Sequence, residues 1–249
     1  MVIRACATMP LAQRRQNPMH VIPVIDLKGG IVVHARRGAR AHYRALETPF
    51  AKQPDPIAVV NGLLAFQPFA QLYVADLDAI AGGLGHRAVV TEIAQRHPAL
   101  QVWLDAGFSS VAALEPMLDL PNVNIVLGSE SLATLDDYRT LCAVLPATRW
   151  VLSLDRGADG DALGCRALFD DASLWPTRVI HMTLARVGAA AGPDLTGLER
   201  LREQAPRCAL YAAGGVRNED DLRALAARGV AGALVATALH EGRVTHAHL

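Results

Sequence analysis

Eight short apolar runs alternate along this chain with longer Ala- and Leu-rich stretches, and that alternation restricts the fold more than any other feature. The runs fall at 21–25, 71–75, 101–104, 124–127, 150–154, 179–182, 209–212 and 233–235. Helical spacing of apolar residues marks 57–66, 86–96, 111–118, 132–144, 195–204 and 219–228. Each run is almost continuously hydrophobic, the pattern of a strand buried on both faces in a parallel sheet. Eight βα units within 249 residues predict a single (β/α)8 TIM barrel. The alternative, an open doubly wound sheet, normally carries a Gly-rich phosphate turn after its first strand. Neither GxGxxG nor a GxxxxGK turn followed by Ser or Thr occurs.

The barrel is expected to span residues 19–249. The first eighteen, "MVIRACATMPLAQRRQNP", hold Arg but no acid, which faintly suggests a transit peptide. A disordered or mis-assigned N-terminal extension is the preferred reading, because termini are usually poorly ordered. A hydrophobic fraction of 51% supplies a full core, and 24 basic residues are matched by 24 acidic ones. Without a cationic surplus, neither a nucleic-acid partner nor an anionic membrane surface is expected. No apolar run approaches the ~20 residues that span a bilayer. Cys6, Cys142, Cys165 and Cys208 form no CxxC, as in reduced thiols of a cytoplasmic protein. The expected assembly is a monomer or small homo-oligomer.

The chain also repeats itself. "DAGFSSVAALEPM" from Asp105 aligns with "AGGVRNEDDLRAL" from Ala213, so Gly107 matches Gly215. The same offset carries Gly128-Ser129 onto Ala236-Thr237, and Ala75-Asp76 onto Thr183-Leu184. Three strand ends of one half therefore fall on three of the other, predicting a barrel with a twofold half-barrel repeat.

In a TIM barrel the active site is built at the C-terminal ends of the strands. "VIDLKGG" and "VLSLDRG" put Asp26 and Asp155 there, on the first and fifth strands and across the mouth from each other. Two such carboxyl groups can divide proton transfer, one starting as acid and the other as base. A lone strand-end Asp more often caps a turn or pairs with an Arg; the twofold placement, each time followed by Gly, favours catalysis. Thr183 ends the sixth strand and is a candidate to orient substrate or relay a proton, with β-branched packing as the competing reading. Asp76 and Asp78 in "VADLDA" are candidates for a sugar hydroxyl or for an arginine of the first loop.

Glycine placement adds phosphate binding. Gly214-Gly215 follow the seventh strand, and Ala236-Thr237 follow the eighth at the entry to a short helix; backbone amides there suit an anion. Gly107, Ser109, Gly128 and Ser129 reproduce the arrangement in the first half. Two phosphate sites around an acid/base pair describe a long substrate with a phosphate at each end. Arg36, Arg37, Arg40 and Arg44 in the first loop are either solvated or form a lid over an anionic substrate. His246 and His248 are discounted as metal ligands, and neither a metal nor a cofactor is expected.

"VIPVIDLKGGIVV", "LYVADLDA", "IVLGSES", "VLSLD", "AGPDL", "YAAGGVRNEDDL" and "GALVATALHEG" resemble the histidine-biosynthesis barrel family over residues 19–243. Its members are the phosphoribosylformimino-aminoimidazole-carboxamide ribotide isomerase and the cyclase subunit of imidazole glycerol phosphate synthase. The resemblance implies an Amadori rearrangement with Asp26 as general base, Asp155 as general acid and Thr183 as helper. In that reaction the aminoaldose opens, is protonated to a Schiff base, and loses a proton from C2 to become an aminoketose.

The sequence departs from the family pattern at several strand ends. "GGG" becomes "DAG", introducing Asp105; "RDGT" becomes "RVGA" from Arg186; the Asp of "TDI" is Leu184; and "GR" or "GS" is Ala236-Thr237. Lys28, Asp105 and Arg186 accordingly join Asp76 and Asp78 as candidate substrate contacts. "VIDLKGGIVVHARRG" and "LYVADLDAIAGG" look most like a diverged branch linked to methanopterin-dependent one-carbon metabolism. A paralogue acting there on another phosphorylated substrate, or a non-catalytic barrel that binds a phosphorylated ligand, are the alternatives. A glutaminase-partnered cyclase is disfavoured, since Lys28 falls beyond the predicted strand end.

Overall fold

A computed structural model describes residues 18–35, 39–157 and 159–246; the expected N-terminal extension, apart from Pro18, and Arg36, Arg37 and His248 lie outside the described residues. The strands are β1 (His20–Lys28), β2 (Ile31–His34), β3 (Arg44–Ala45), β4 (Gln71–Asp76), β5 (Gln101–Asp105), β6 (Val123–Gly128), β7 (Trp150–Arg156), β8 (Arg178–Thr183), β9 (Ala209–Ala213) and β10 (Gly232–Val235). Eight of them, in the order β1-β4-β5-β6-β7-β8-β9-β10, pair in parallel, and β10 pairs with β1 to close the ring. The predicted (β/α)8 barrel is the fold. Closure leaves the barrel no unpaired edge.

Around the ring lie α1 (Pro56–Phe66), α2 (Leu77–Ile80), α3 (Arg87–Arg96), α4 (Val111–Leu118), α5 (Leu135–Val144), α6 (Ala167–Asp170), α7 (Leu195–Gln204), α8 (Glu219–Ala227) and α9 (Thr237–His240). Helix starts follow local capping chemistry. α5 begins at Leu135, later than the apolar spacing predicts, because Thr134 and Asp137 form a capping box. Asp55, Asp194 and Asn218 accept backbone N–H bonds in the same way at α1, α7 and α8. None of the helices among the described residues is long and apolar enough to cross a membrane.

One departure from the sequence reading bears on the site. β1 runs on to Lys28, because Asp26–Lys28 pair antiparallel with Ile31–Val33 of β2. Gly29 and Gly30, with φ of 58° and 81°, make the tight turn that lets the hairpin form. The first loop is therefore partly a hairpin that stands beside Asp26.

The barrel interior is filled by Ile22, Tyr73, Trp103, Val126, Val151, Ile180, Tyr211 and Leu234. Trp103 and Tyr211 meet edge to face at 4.8 Å, and the Arg178 guanidinium lies 5.4 Å from the Trp103 ring centre. Side chains alternate along a strand, so residues two positions further on form the next inward layer. Two positions beyond Val24, Trp103 and Ser153, that layer receives Asp26, Asp105 and Asp155; beyond Tyr73, Ile180 and Tyr211 it receives Ala75, Met182 and Ala213.

The half-barrel repeat is visible in the packing of Gly107 and Gly215. Both have positive φ, 63° and 92°. A Cβ on Gly107 would lie 2.8 Å from the Ile80 Cα, and one on Gly215 would lie 2.1 Å from the Gly192 carbonyl oxygen. In each half a turn glycine thus packs on the segment that follows the preceding strand, the end of α2 in one and the loop at Gly192 in the other. Gly215→Ala is expected to destabilise the protein by about 1–3 kcal/mol through this clash and the left-handed backbone. Urea unfolding of the variant beside wild type measures it.

Candidate active site

At the C-terminal end of the strands the barrel opens into a cavity of about 340 Å³. Asp26 from β1, Asp105 from β5 and Asp155 from β7 line it together with Tyr73 and Glu130. The opposite arc of the wall, after β8, β9 and β10, contributes Arg186, Gly188, Gly214, Gly215, Ala236, Thr237 and Arg243. A second cavity of about 660 Å³ contains Asp76, Gly107 and Ser109, and it shares Arg40, Ile80 and Glu130 with the first.

All three aspartates are largely buried: 9% of Asp26, 7% of Asp105 and 3% of Asp155 remain exposed. Burial disfavours the charged form, so each carboxyl is pushed above its ordinary range. Asp155 rises to about 8, through burial first and the neighbouring Asp105 second, with the Ser153 bond opposing. Asp26 rises to about 7 through burial, with Arg40 pulling it down and Asp105 pushing it up. Asp105 rises to about 6, burial again leading, held back by the Tyr73 hydroxyl.

Their hydrogen bonding differs sharply. Asp155 accepts from Ser153 Oγ at 2.6 Å, from the Glu130 amide at 3.1 Å and from Ser129 Oγ at 3.3 Å. Asp105 accepts from Tyr73 at 2.9 Å and from the Gly107 amide at 3.2 Å. Asp26 accepts no hydrogen bond from the described residues, and it shares the cavity wall with Arg40, whose charge acts on it.

The remaining sequence candidates divide into three groups. Gly214, Gly215, Ala236, Thr237 and Arg186 stand on the cavity wall; His34 Nε2 lies 2.9 Å from Thr237 Oγ1, and Arg186 donates to the Gly192 carbonyl at 2.9 Å. Others are engaged by the protein itself. Ser129 is fully buried and bonded to Asp155, and a Cβ on Gly128 would come 3.1 Å from Asp155 Oδ2; the first-half "GS" turn therefore wraps a carboxylate. Lys28 donates to the Arg40 carbonyl at 2.6 Å, and Asp78 accepts from the Gly29 amide at 2.7 Å, so both tie the first loop in place. Asp76 caps α2 and accepts from His86 Nδ1 at 2.9 Å. His246 pairs with Glu219.

Thr183 forms the third group. It is buried and its hydroxyl has no partner among the described residues, but it is absent from the cavity wall. The reason is the pleat: Met182 faces inward beside Asp155, so its neighbour is turned the other way.

Tyr73, Glu130, Ser153, His34 and Arg243 are site residues that the sequence reading did not single out. Tyr73 and Ser153 each stand two positions before an inward residue, Ala75 and Asp155, and that parity was a usable signal. Glu130 was hidden within an apparent phosphate turn.

A sequence model described as histidine biosynthesis protein matches residues 20–245. The chain belongs to that family. An isomerase of Anaeromyxobacter sp. (strain K), named 1-(5-phosphoribosyl)-5-((5-phosphoribosylamino)methylideneamino) imidazole-4-carboxamide isomerase, is 30% identical over 235 residues, covering 91% of this chain and 95% of the relative. The protein of the same name from Roseiflexus sp. (strain RS-1) is 31% identical, covering 90% of this chain and 95% of its own length. An uncharacterized protein of Methanocaldococcus jannaschii is 27% identical over 226 residues, covering 90% and 94%.

Proposed function

We propose that this family member is an aldose–ketose isomerase that carries out an Amadori-type rearrangement of a phosphorylated phosphoribosyl compound. The observation that carries this reading is the pair Asp26 and Asp155, buried on opposite strands of one cavity with carboxyls raised to about 7 and about 8. In neutral solution the higher group holds its proton and the lower one is partly ionised, the division of labour that such a reaction needs. Asp155 gives its proton to open the aminoaldose and form the Schiff base. Asp26, which has no hydrogen bond to a described residue to release, removes the proton from C2. The phosphate sits against Gly214, Gly215 and Thr237, where backbone amides and Arg186 offer donors. Thr183, set back from the wall, acts at most by supporting the β8 end.

The test is growth complementation of a histidine auxotroph that lacks the isomerase. Growth supports the histidine-pathway reaction, and failure by a well-folded protein removes it. A diverged paralogue acting on another phosphorylated substrate is the second reading, including one in methanopterin-linked one-carbon metabolism. It is favoured by Asp105 and Glu130 on the cavity wall.

Ser153 offers a finer check. Its hydroxyl bond lowers the Asp155 pKa, so Ser153→Ala is expected to raise it and move the alkaline limb of the pH–rate profile upward. A limb that stays put or moves down contradicts Asp155 as the acid.

A further inference from the structure

The two halves of the cavity have opposite electrostatic character. On the arc of β5, β6 and β7 stand Asp105, Glu130 and Asp155, with Asp26 facing them from β1. Among the described residues a single guanidinium, Arg40, opposes these four carboxyls, and it is already paired with Glu130. The arc of β8, β9 and β10 carries Arg186 and Arg243 with the Gly214-Gly215 turn, and among the described residues its one carboxylate on the wall, Glu241, is bonded to Arg243.

The backbone tells the same story independently. In the first half, the turn amides that would face an anion donate to the protein's own carboxylates: Gly107 N to Asp105 at 3.2 Å and Glu130 N to Asp155 at 3.1 Å. The second half has Ala213 where the repeat places Asp105. Among the described residues, no side-chain carboxylate accepts from the amides of Gly214, Gly215 or Thr237. One anion site is thus open, and the other is filled from within. The nine-tenths buried Asp26 adds an acceptor that forms no hydrogen bond with the described residues.

We infer that the substrate carries a single phosphate, held on the β8–β10 arc, and a basic nitrogen directed toward Asp105, Asp26 and Glu130. A second phosphate on the acidic arc would meet the charges of Asp105 and Glu130 and part of that of Asp26, with no unpaired cation among the described residues there, and like-charge contact of that kind is strongly repelled. A protonated amine there gains ionic hydrogen bonds to groups that otherwise lie buried beside one another. This rests on the isomerase reading only for the identity of the cavity; it narrows the substrate class from a doubly to a singly phosphorylated amino compound.

The experiment is isothermal titration of the full chain at pH 7 with three probes of one size class: glucosamine 6-phosphate, glucose 6-phosphate and fructose 1,6-bisphosphate. The amine is expected to bind at least about tenfold more tightly than its hydroxyl counterpart, and the bisphosphate more weakly than either. In an Asp105→Asn, Glu130→Gln double variant the amine preference should collapse and the bisphosphate should gain. Tightest binding by the bisphosphate, or no preference among the three (including binding by none), overturns the inference. Because the readout is equilibrium binding, it separates from the isomerase reading. A non-catalytic barrel would keep the amine preference, while an isomerase of a two-phosphate substrate would turn over and prefer the bisphosphate.

Discussion

Asp26→Asn and Asp155→Asn are each expected to lower kcat by about 100- to 10,000-fold, the range that a general acid or base contributes. Asn matches Asp in size, so neither change opens a cavity or removes packed atoms. Circular dichroism and urea unfolding should therefore stay close to wild type or show higher stability, since each variant deletes a carboxyl whose burial opposes ionisation. The wild-type pH–rate profile should be a narrow bell. Activity rises as Asp26 ionises near 7 and falls as Asp155 loses its proton near 8. Wild-type turnover in either variant would end the acid/base assignment, whatever substrate supports the assay.

Most of the architecture was written in the apolar runs, because a strand buried on both faces leaves a short unbroken hydrophobic run, and its shortness together with the regular alternation with longer helical patterns sets it apart from a buried helix. What escaped was governed by shorter-range geometry. β1 was ended too early, although "LKGGIVVH" carries a two-glycine turn between extended segments, a recognisable hairpin signal. α6 is a single turn, too short for periodicity to show. Thr183 is a candidate by its place at a strand end as well as by resemblance, and the pleat sets it one residue out of phase with the inward face. Gly128 and Ser129 illustrate a deeper limit: a glycine–serine turn offers donors to any anion, and sequence alone does not say whether phosphate or carboxylate receives them. Here Asp155 does. The strand-end placement of Asp26 and Asp155 was legible, and so was Asp105 as a departure from the family's glycine. That all three meet in one cavity required the register of the strands.

Asp105→Asn is expected to make the protein more stable at alkaline pH, and the size of that effect tests the acidic cluster directly. The Asp105 carboxyl is raised from 3.8 to about 6 by its burial. Below the unfolded value both states hold the proton and no penalty exists. Between about 4 and 6 the unfolded chain ionises first, so wild-type stability falls as pH rises, and above about 6 the loss is complete. At about 1.4 kcal/mol per pKa unit, the upper bound is roughly 3 kcal/mol. Asn keeps an acceptor for Tyr73 but loses one of the two carboxylate oxygens, which offsets part of the gain. A net stabilisation of about 1–2 kcal/mol at pH 8, vanishing or reversing near pH 4.5, is the expected result from urea midpoints at the two pH values. No extra stability at pH 8 relative to pH 4.5 would mean that the buried carboxyl carries no ionisation penalty. The same substitution removes a charge that raises both neighbours, so both limbs of the pH–rate bell should move to lower pH. An aspartate that weakens the fold while tuning two others is one whose reason for being there lies in the guest that it faces, not in the barrel that holds it.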